Sequence, residues 1–164
     1  MKKLVLTLAI VFAGIMSANA QVWVGGGFGA QINKNQVAVE LAPEIGYAFN
    51  NHWQIALGTD YTFVNTDPTS TNLLYLEPYV RYVGGTIGHK FSLFVDLTGD
   101  FGLIDASGWA VSLRPGIAWQ ATEKFTAAFR FGFAGYDHYL YGGNEGFYMN
   151  CDLAAPQIRL YYSF

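Results

Sequence analysis

The two-residue alternation of side chains constrains this chain more than any other feature. In "WQIALGTDYTF", residues 53–63, Trp53, Ile55, Leu57, Thr59, Tyr61 and Phe63 share one face, while Gln54, Ala56, Gly58, Asp60 and Thr62 share the other. Strict alternation of that length specifies a β-strand. "FSLFVDLTGDF" from Phe91 and "FTAAFRFGF" from Phe125 repeat it. The remaining strands are read at Val22–Ile32, Val37–Phe49, Leu74–Val83, Trp109–Trp119 and about Leu153–Phe164, which makes eight. Turn-forming residues fill the joints at Asn50–His52, Gly84–Lys90 and Gln120–Lys124. They alternate with joints at Asn33–Gln36, Asn65–Asn72, Ile104–Gly108 and Asp137–Gly146, two of which are the longest.

Charge follows the same alternation. Arg81, Arg114, Arg130 and Arg159 lie on the less apolar face of their strands, and so do Glu40, Glu44, Asp60, Glu77, Asp96 and Asp100. The opposite face is apolar on all eight strands, with Leu, Ile and Val in the middle and Tyr47, Phe49, Trp53, Phe91, Trp119, Phe125 and Tyr162 towards the ends. A soluble barrel with a ligand cavity would put the apolar face inside and the charges outside. The arginines are also segregated from Lys34, Lys90 and Lys124, which sit at joints. Arginine's fixed fork of donors suits buried pairs, whereas a solvent face would mix the two cations. The chain is 52% hydrophobic and 13% charged, yet beyond its first 20 residues no apolar run approaches a spanning helix of ~20 residues. These observations predict an all-β fold: an eight-stranded antiparallel up-and-down transmembrane β-barrel, with a lipid-facing band between aromatic girdles and a charge-paired interior.

Four prolines recur in one phase. "LAPEIGY" (41–47), "LEPYVRY" (76–82) and "LRPGIAW" (113–119) share a frame, and "AAPQIRL" (154–160) follows it loosely. Pro43, Pro78, Pro115 and Pro156 all have lipid-side parity on alternate strands, so the repeating unit is a hairpin. A recurrent proline in one phase points to a bulge that bends each strand as the sheet closes.

Residues 1–20, "MKKLVLTLAIVFAGIMSANA", have the basic start, short apolar middle and A-x-A end of a secretory signal peptide, so a mature barrel domain of 21–164 is expected to begin at Gln21. The position after the cut is not cysteine, which argues against a lipoprotein. Cys151 is the single cysteine, so no intramolecular disulfide holds the fold. A formal net charge of −3 gives no sign of nucleic-acid binding.

The chain ends "QIRLYYSF", with Ile158, Leu160, Tyr162 and Phe164 alternating outward. This resembles the C-terminal signal read by the outer-membrane assembly machinery. Together with the leader and the eight-strand pattern, the chain resembles the small outer-membrane β-barrel proteins, the OmpX-like and OmpA-barrel-like group, over Val22 to Phe164. The resemblance is one of pattern and includes no catalytic motif. It implies a monomer in the outer membrane of a Gram-negative bacterium, with both termini periplasmic and the longer loops outside. It also implies outer-membrane lipid and lipopolysaccharide as surroundings, and structural, adhesion or host-contact roles with an extracellular partner still to be identified.

Two alternatives differ in class. A lipid A-modifying enzyme needs His and Ser near the outer face, usually with a carboxylate. His52 and His89 lie in the expected periplasmic turns, and His138, beside Asp137, has no His-x-Ser arrangement in its loop. No catalytic residue, cofactor or metal site is assigned, because His138, Asp137 and Glu145 are too few to define one. A narrow pore is disfavoured because eight strands leave an interior that side chains can fill. The loop "DHYLYGGNEG" (137–146), with His138, Tyr139 and Tyr141, is the first choice for a contact surface.

Overall fold

The computed structural model describes residues 21–33, 36–66, 69–141, 144–151 and 157–164. These residues form strands β1 (Gln21–Asn33), β2 (Gln36–Ala48), β3 (Trp53–Thr66), β4 (Thr69–Ile87), β5 (Phe91–Ile104), β6 (Trp109–Gln120), β7 (Phe125–Arg130), β8 (Phe133–His138), β9 (Glu145–Asn150) and β10 (Gln157–Ser163). Each pairs antiparallel with its neighbours, and the β5–β6 and β1–β10 ladders close the sheet into a barrel. The barrel has eight staves, because β7 and β8 are two parts of the seventh, and β9 and β10 two parts of the eighth. Closure satisfies backbone groups within the sheet, as a lipid environment requires, along the seam at Trp23–Gly26 and Leu160–Ser163; among the described residues β9 pairs with β8 alone.

The strands are longer than the alternation alone suggests. Asn65 pairs with Ser70 and Thr66 with Thr69, so the joint expected at 65–72 is mostly ladder. The joint expected at 137–146 also shrinks, because Asp137 pairs with Gly146 and His138 with Glu145. Polar residues end the lipid-facing pattern without ending the hydrogen-bonded pairing. The signal-peptide reading of 1–20, Lys34 and Pro156 lie outside the described residues.

The faces divide sharply. Leu57, Leu97, Leu113 and Ile158 are about half exposed on the outside, and Phe49, Trp53, Phe91, Trp119 and Phe125 ring the turn end. Inside, Trp23, Tyr79, Phe94, Ala128 and Tyr161 form the buried apolar cluster. Trp23 lies across Gly46, where a Cβ would come within 2.1 Å of the indole, so glycine makes room for the ring.

The prolines do not all mark bulges. The β2–β3 ladder lapses between Leu41–Tyr61 and Glu44–Gly58 without a change of register, at Pro43. The β4–β5 ladder does the same between Leu76–Phe101 and Tyr79–Thr98, at Pro78. In both cases pairing with the preceding stave continues through the proline. Among these three prolines, a one-residue shift follows at Pro115 alone. There β6 pairs Gly116 with Arg130 but Leu113 with Ala134, while Phe131 donates its N–H to the Pro115 carbonyl at 2.9 Å. Pro43, Pro78 and Pro115 thus each break the ladder on one side, as the loss of a single N–H dictates.

The extra residue opposite Pro115 has a large consequence. Gly132 takes φ 82°, and a Cβ there would lie 2.0 Å from the Asn150 carbonyl oxygen. A one-residue bulge inverts the faces of everything beyond it. Simple alternation from Phe125 would point Phe133 and Asp137 at lipid. Instead Phe133 lines the lumen and Asp137 is buried. The eighth stave is also offset, taking seven steps from Asn150 to Gln157 where the seventh takes three from Arg130 to Phe133.

Candidate functional site

The lumen has three levels, set by which inward-facing positions each stave supplies. At the turn end, a cavity of about 560 Å³ opens between polar residues such as Gln54, Ser92, Gln120 and Thr126, above a floor that includes Trp23, Phe94, Tyr161 and Arg81. A second cavity of about 470 Å³ opens at the loop end. Between them runs a column of ion pairs.

The column starts at Arg81, whose Nε and Nη2 donate to the two oxygens of Asp96 at 2.7 and 2.9 Å. This bidentate geometry is the stronger kind of charge-assisted hydrogen bond. Arg81 Nη2 also donates to the Tyr161 hydroxyl at 3.2 Å, and its guanidinium lies 4.0 Å from the Phe94 ring centroid. Asp96 takes a third bond from Arg130 Nε at 2.9 Å, and Arg130 Nη1 donates to Glu77 at 2.7 Å. Glu77 in turn meets Arg114 at 3.3 Å and Arg159 at 3.9 Å. Arg114 passes the chain on to Asp100 at 2.6 Å and donates from Nε to Ser112 at 3.1 Å. Asp96, Asp100 and Arg130 are 0–1% exposed, so these charges depend on one another for solvation.

All four arginines expected in the interior lie in the lumen, and Asp96, Asp100 and Glu77 receive them. The register explains the Arg81–Asp96 contact but not those of Arg114. Arg81 and Arg114 flank Asp96 as cross-strand partners, yet Arg114 reaches towards Glu77 and Asp100 instead. The remaining acids behave differently. Glu44 accepts a hydrogen bond from the Tyr79 hydroxyl at 2.6 Å. Asp60 accepts one from Thr62 at 3.1 Å, and among the described residues neither Asp60 nor Glu40 makes an ion pair. The negative surplus therefore sits towards the loop end. Sequence reading did not find the lumen tyrosines Tyr79 and Tyr161, although their inward parity was the available signal.

Aromatic rings line the loop-end cavity. Tyr75, Tyr141, Phe133 and Tyr148 follow one another with centroids 6.0, 6.3 and 4.9 Å apart. Tyr141 belongs to the connection between β8 and β9, and it lines the cavity together with Asp100. Buried Asp137 shapes that connection by accepting the backbone N–H groups of Leu140 at 2.8 Å and Tyr141 at 3.0 Å. The three loop contact candidates consequently separate. Tyr141 turns into the mouth. His138 and Tyr139 do not: the His138 ring stacks on Trp109 at 5.4 Å, Nδ1 stands 3.7 Å from Glu145, and Tyr139 packs edge-on against His138. On the outer face of the hairpin, Phe147 is 92% and Met149 75% exposed.

At the chain end, Ile158, Leu160 and Phe164 face outward from β10 or just beyond it, with Tyr162 between Phe125 and Phe164. Phe164 donates its N–H to the Val22 carbonyl at 3.1 Å, so the terminal residue lies at the seam that closes the barrel.

No family model matches the sequence, and no curated protein does. Among solved structures, the chain is similar to the outer membrane protein Ail of Yersinia pestis, whose backbone structure was determined in a phospholipid bilayer nanodisc. The identity is 14% and the TM-score 0.50, over 89% of this chain and the whole of the other. Together with the closed eight-stave sheet, this identifies the fold as that of an outer-membrane β-barrel.

Proposed function

We propose that this chain is an outer-membrane scaffold that presents its loop end, above all the β8–β9 hairpin, for structural or surface-contact roles. The observation that carries this reading is the contrast between a lumen tied shut by ion pairs and a hairpin that leaves Phe147 and Met149 bare. A packed barrel of this kind is a rigid support, and rigid supports commonly carry function on their loops. In this reading residues 1–20 are removed, the termini face the periplasm and the barrel is a monomer. His138 stacks on Trp109 and faces Glu145, an arrangement that serves hairpin packing rather than hydrolysis.

The test replaces Tyr139–Asn144 by a two-residue turn. The variant is expected to keep the heat-dependent gel mobility of a folded barrel. Cells expressing it are expected to lose adhesion to surfaces coated with extracellular-matrix protein. Unchanged adhesion with the fold retained would leave a purely structural role.

A further inference from the structure

The loop-end cavity has a chemistry of its own. Its acids are Asp60, Glu77 and Asp100, and its one arginine is Arg114. All three donor nitrogens of Arg114 are engaged, Nη1 by Glu77, Nη2 by Asp100 and Nε by Ser112. Glu77 and Asp100 are thereby neutralised from below, while among the described residues Asp60 makes no ion pair and accepts a hydrogen bond from the Thr62 hydroxyl. Glu40, level with Thr62 on the adjacent stave, adds a further negative charge nearby. Above these groups stand the four rings of Tyr75, Tyr141, Phe133 and Tyr148.

We propose that this cavity binds a small organic ammonium ion, with the charge against Asp60 and the alkyl surface among the four rings. Aromatic faces attract cations, and walls built from several rings are the usual receptor for alkylammonium groups. A strongly hydrated divalent ion would need six or more oxygen ligands, and only one carboxylate here is uncommitted. An anion would meet three carboxylates and an arginine already paired with two of them. The volume of about 470 Å³ falls within the range of small-molecule sites, about 300–1,000 Å³.

The site was out of reach of the alternation pattern. Phe133 enters the lumen only because the Phe131–Gly132 bulge inverts the seventh stave, and Tyr141 only because Asp137 turns the hairpin tip inward. The proposal does not depend on the contact role of the hairpin's outer face, because the ring cage opens into the lumen.

The experiment is calorimetric titration of the full mature chain in maltoside micelles, which carry no ammonium headgroup. Choline is the probe, and 3,3-dimethyl-1-butanol, its neutral isostere, is the control. Choline is expected to bind saturably and at least tenfold more tightly than the isostere. Asp60→Asn and Tyr148→Ala are each expected to weaken choline at least tenfold, with Lys124→Ala unchanged. Two variants in different elements guard against a folding defect in one, and the heat-shifted gel band reports the fold of each. Glycerophosphocholine binding as well as choline would identify a lipid headgroup as the natural source, and choline alone a free cation. Equal binding of choline and its isostere overturns the proposal. So does wild-type affinity in Asp60→Asn, or no saturation by 3,3-dimethyl-1-butanol and choline alike.

Discussion

The turn-end half of this barrel and its loop-end half are built to different standards. In the turn-end half, the alternation holds from stave to stave up to a β4–β5 shift at Val83–Thr86 beside the turn, and aromatic rings, arginines and acids fill the lumen together. Arg81 alone engages Asp96, Tyr161 and the Phe94 ring. The loop-end half carries the β4–β5 shift at Leu74–Tyr75, the bulge at Phe131–Gly132, the offset eighth stave and the acids without ion pairs. The difference teaches that one half serves folding, where the lumen is paired and irregularity is confined to the strand end beside a turn. Departures gather in the other half, as is usual where a protein meets a partner. Perturbations should therefore be costly at the turn end and mild at the loop end.

The largest effect is expected at the seam. Deleting Phe164 removes a 71% exposed outward ring and the N–H that joins Val22. Outer-membrane levels of the truncated chain, read by fractionation and immunoblot, are expected to fall several-fold. Deleting a loop-end residue such as Asn144 should leave them near normal. Equal levels for the two chains would erase the contrast at the stage of assembly.

Next comes the column. Arg130→Ala takes a bond under 3 Å from each of Asp96 and Glu77, leaving Asp96 to Arg81 and Glu77 to the longer contacts with Arg114 and Arg159. Removing one partner of a buried pair costs about 3–5 kcal/mol, because the other charge remains. The denaturation midpoint in detergent, followed by the heat-shifted gel band, is expected to drop clearly. Arg114→Ala should act in the same direction through Glu77 and Asp100. If both match Lys124→Ala at its exposed turn, lumen water solvates the orphaned acids and the column is not a closed unit.

How far the sequence could be read follows the same division. Strand parity placed Arg81, Asp96, Arg114, Arg130 and Arg159 inside, because a lipid-facing side tolerates no alternative. The same parity failed beyond Gly132, since a single inserted residue leaves no compositional trace and reverses every face after it. Phe133 was thus read on the wrong side, and Asp137 was read as part of a joint. Pro43 and Pro78 showed that a missing N–H can be absorbed as a gap in the ladder, so proline alone does not announce a bulge. The partners within the column were not legible either. Parity gives the face, but the reach of an arginine decides which acid it meets, and Arg114 passes over its cross-strand partner Asp96 to bond Asp100.

A smaller effect is expected at Asp137. Its carboxylate takes the place of missing ladder partners for Leu140 and Tyr141, in the manner of a helix N-cap. Loss of such a cap costs about 0.5–2 kcal/mol. Asp137→Ala should lower the midpoint by less than Arg130→Ala. Amide exchange at Leu140 and Tyr141 should accelerate, while the amides of Arg81 and Asp96 stay protected. Faster exchange spreading to β4 and β5 would mean that the hairpin and the column form one cooperative unit.

The smallest effect on stability is expected at Asp60, and it tests the comparison most directly. Asp60 and Asp96 are both lumen aspartates on upward staves, separated by their partners rather than by their chemistry. Asp96 accepts three arginine bonds. Neutralising it as Asp96→Asn leaves Arg81 and Arg130 with an amide, so the folded state loses attraction that water had already been excluded to create. Asp60 accepts one bond from Thr62, which an amide oxygen in Asp60→Asn can still accept, and it shares its end of the lumen with the unpaired Glu40. Its substitution removes like-charge repulsion and takes away no ion pair. The midpoint of Asp60→Asn should therefore equal or exceed that of the parent chain, while that of Asp96→Asn falls. A fall of the same size in both would mean that Asp60 is held by a cation in the folded barrel, and the loop-end lumen would then be as fully paired as the turn end.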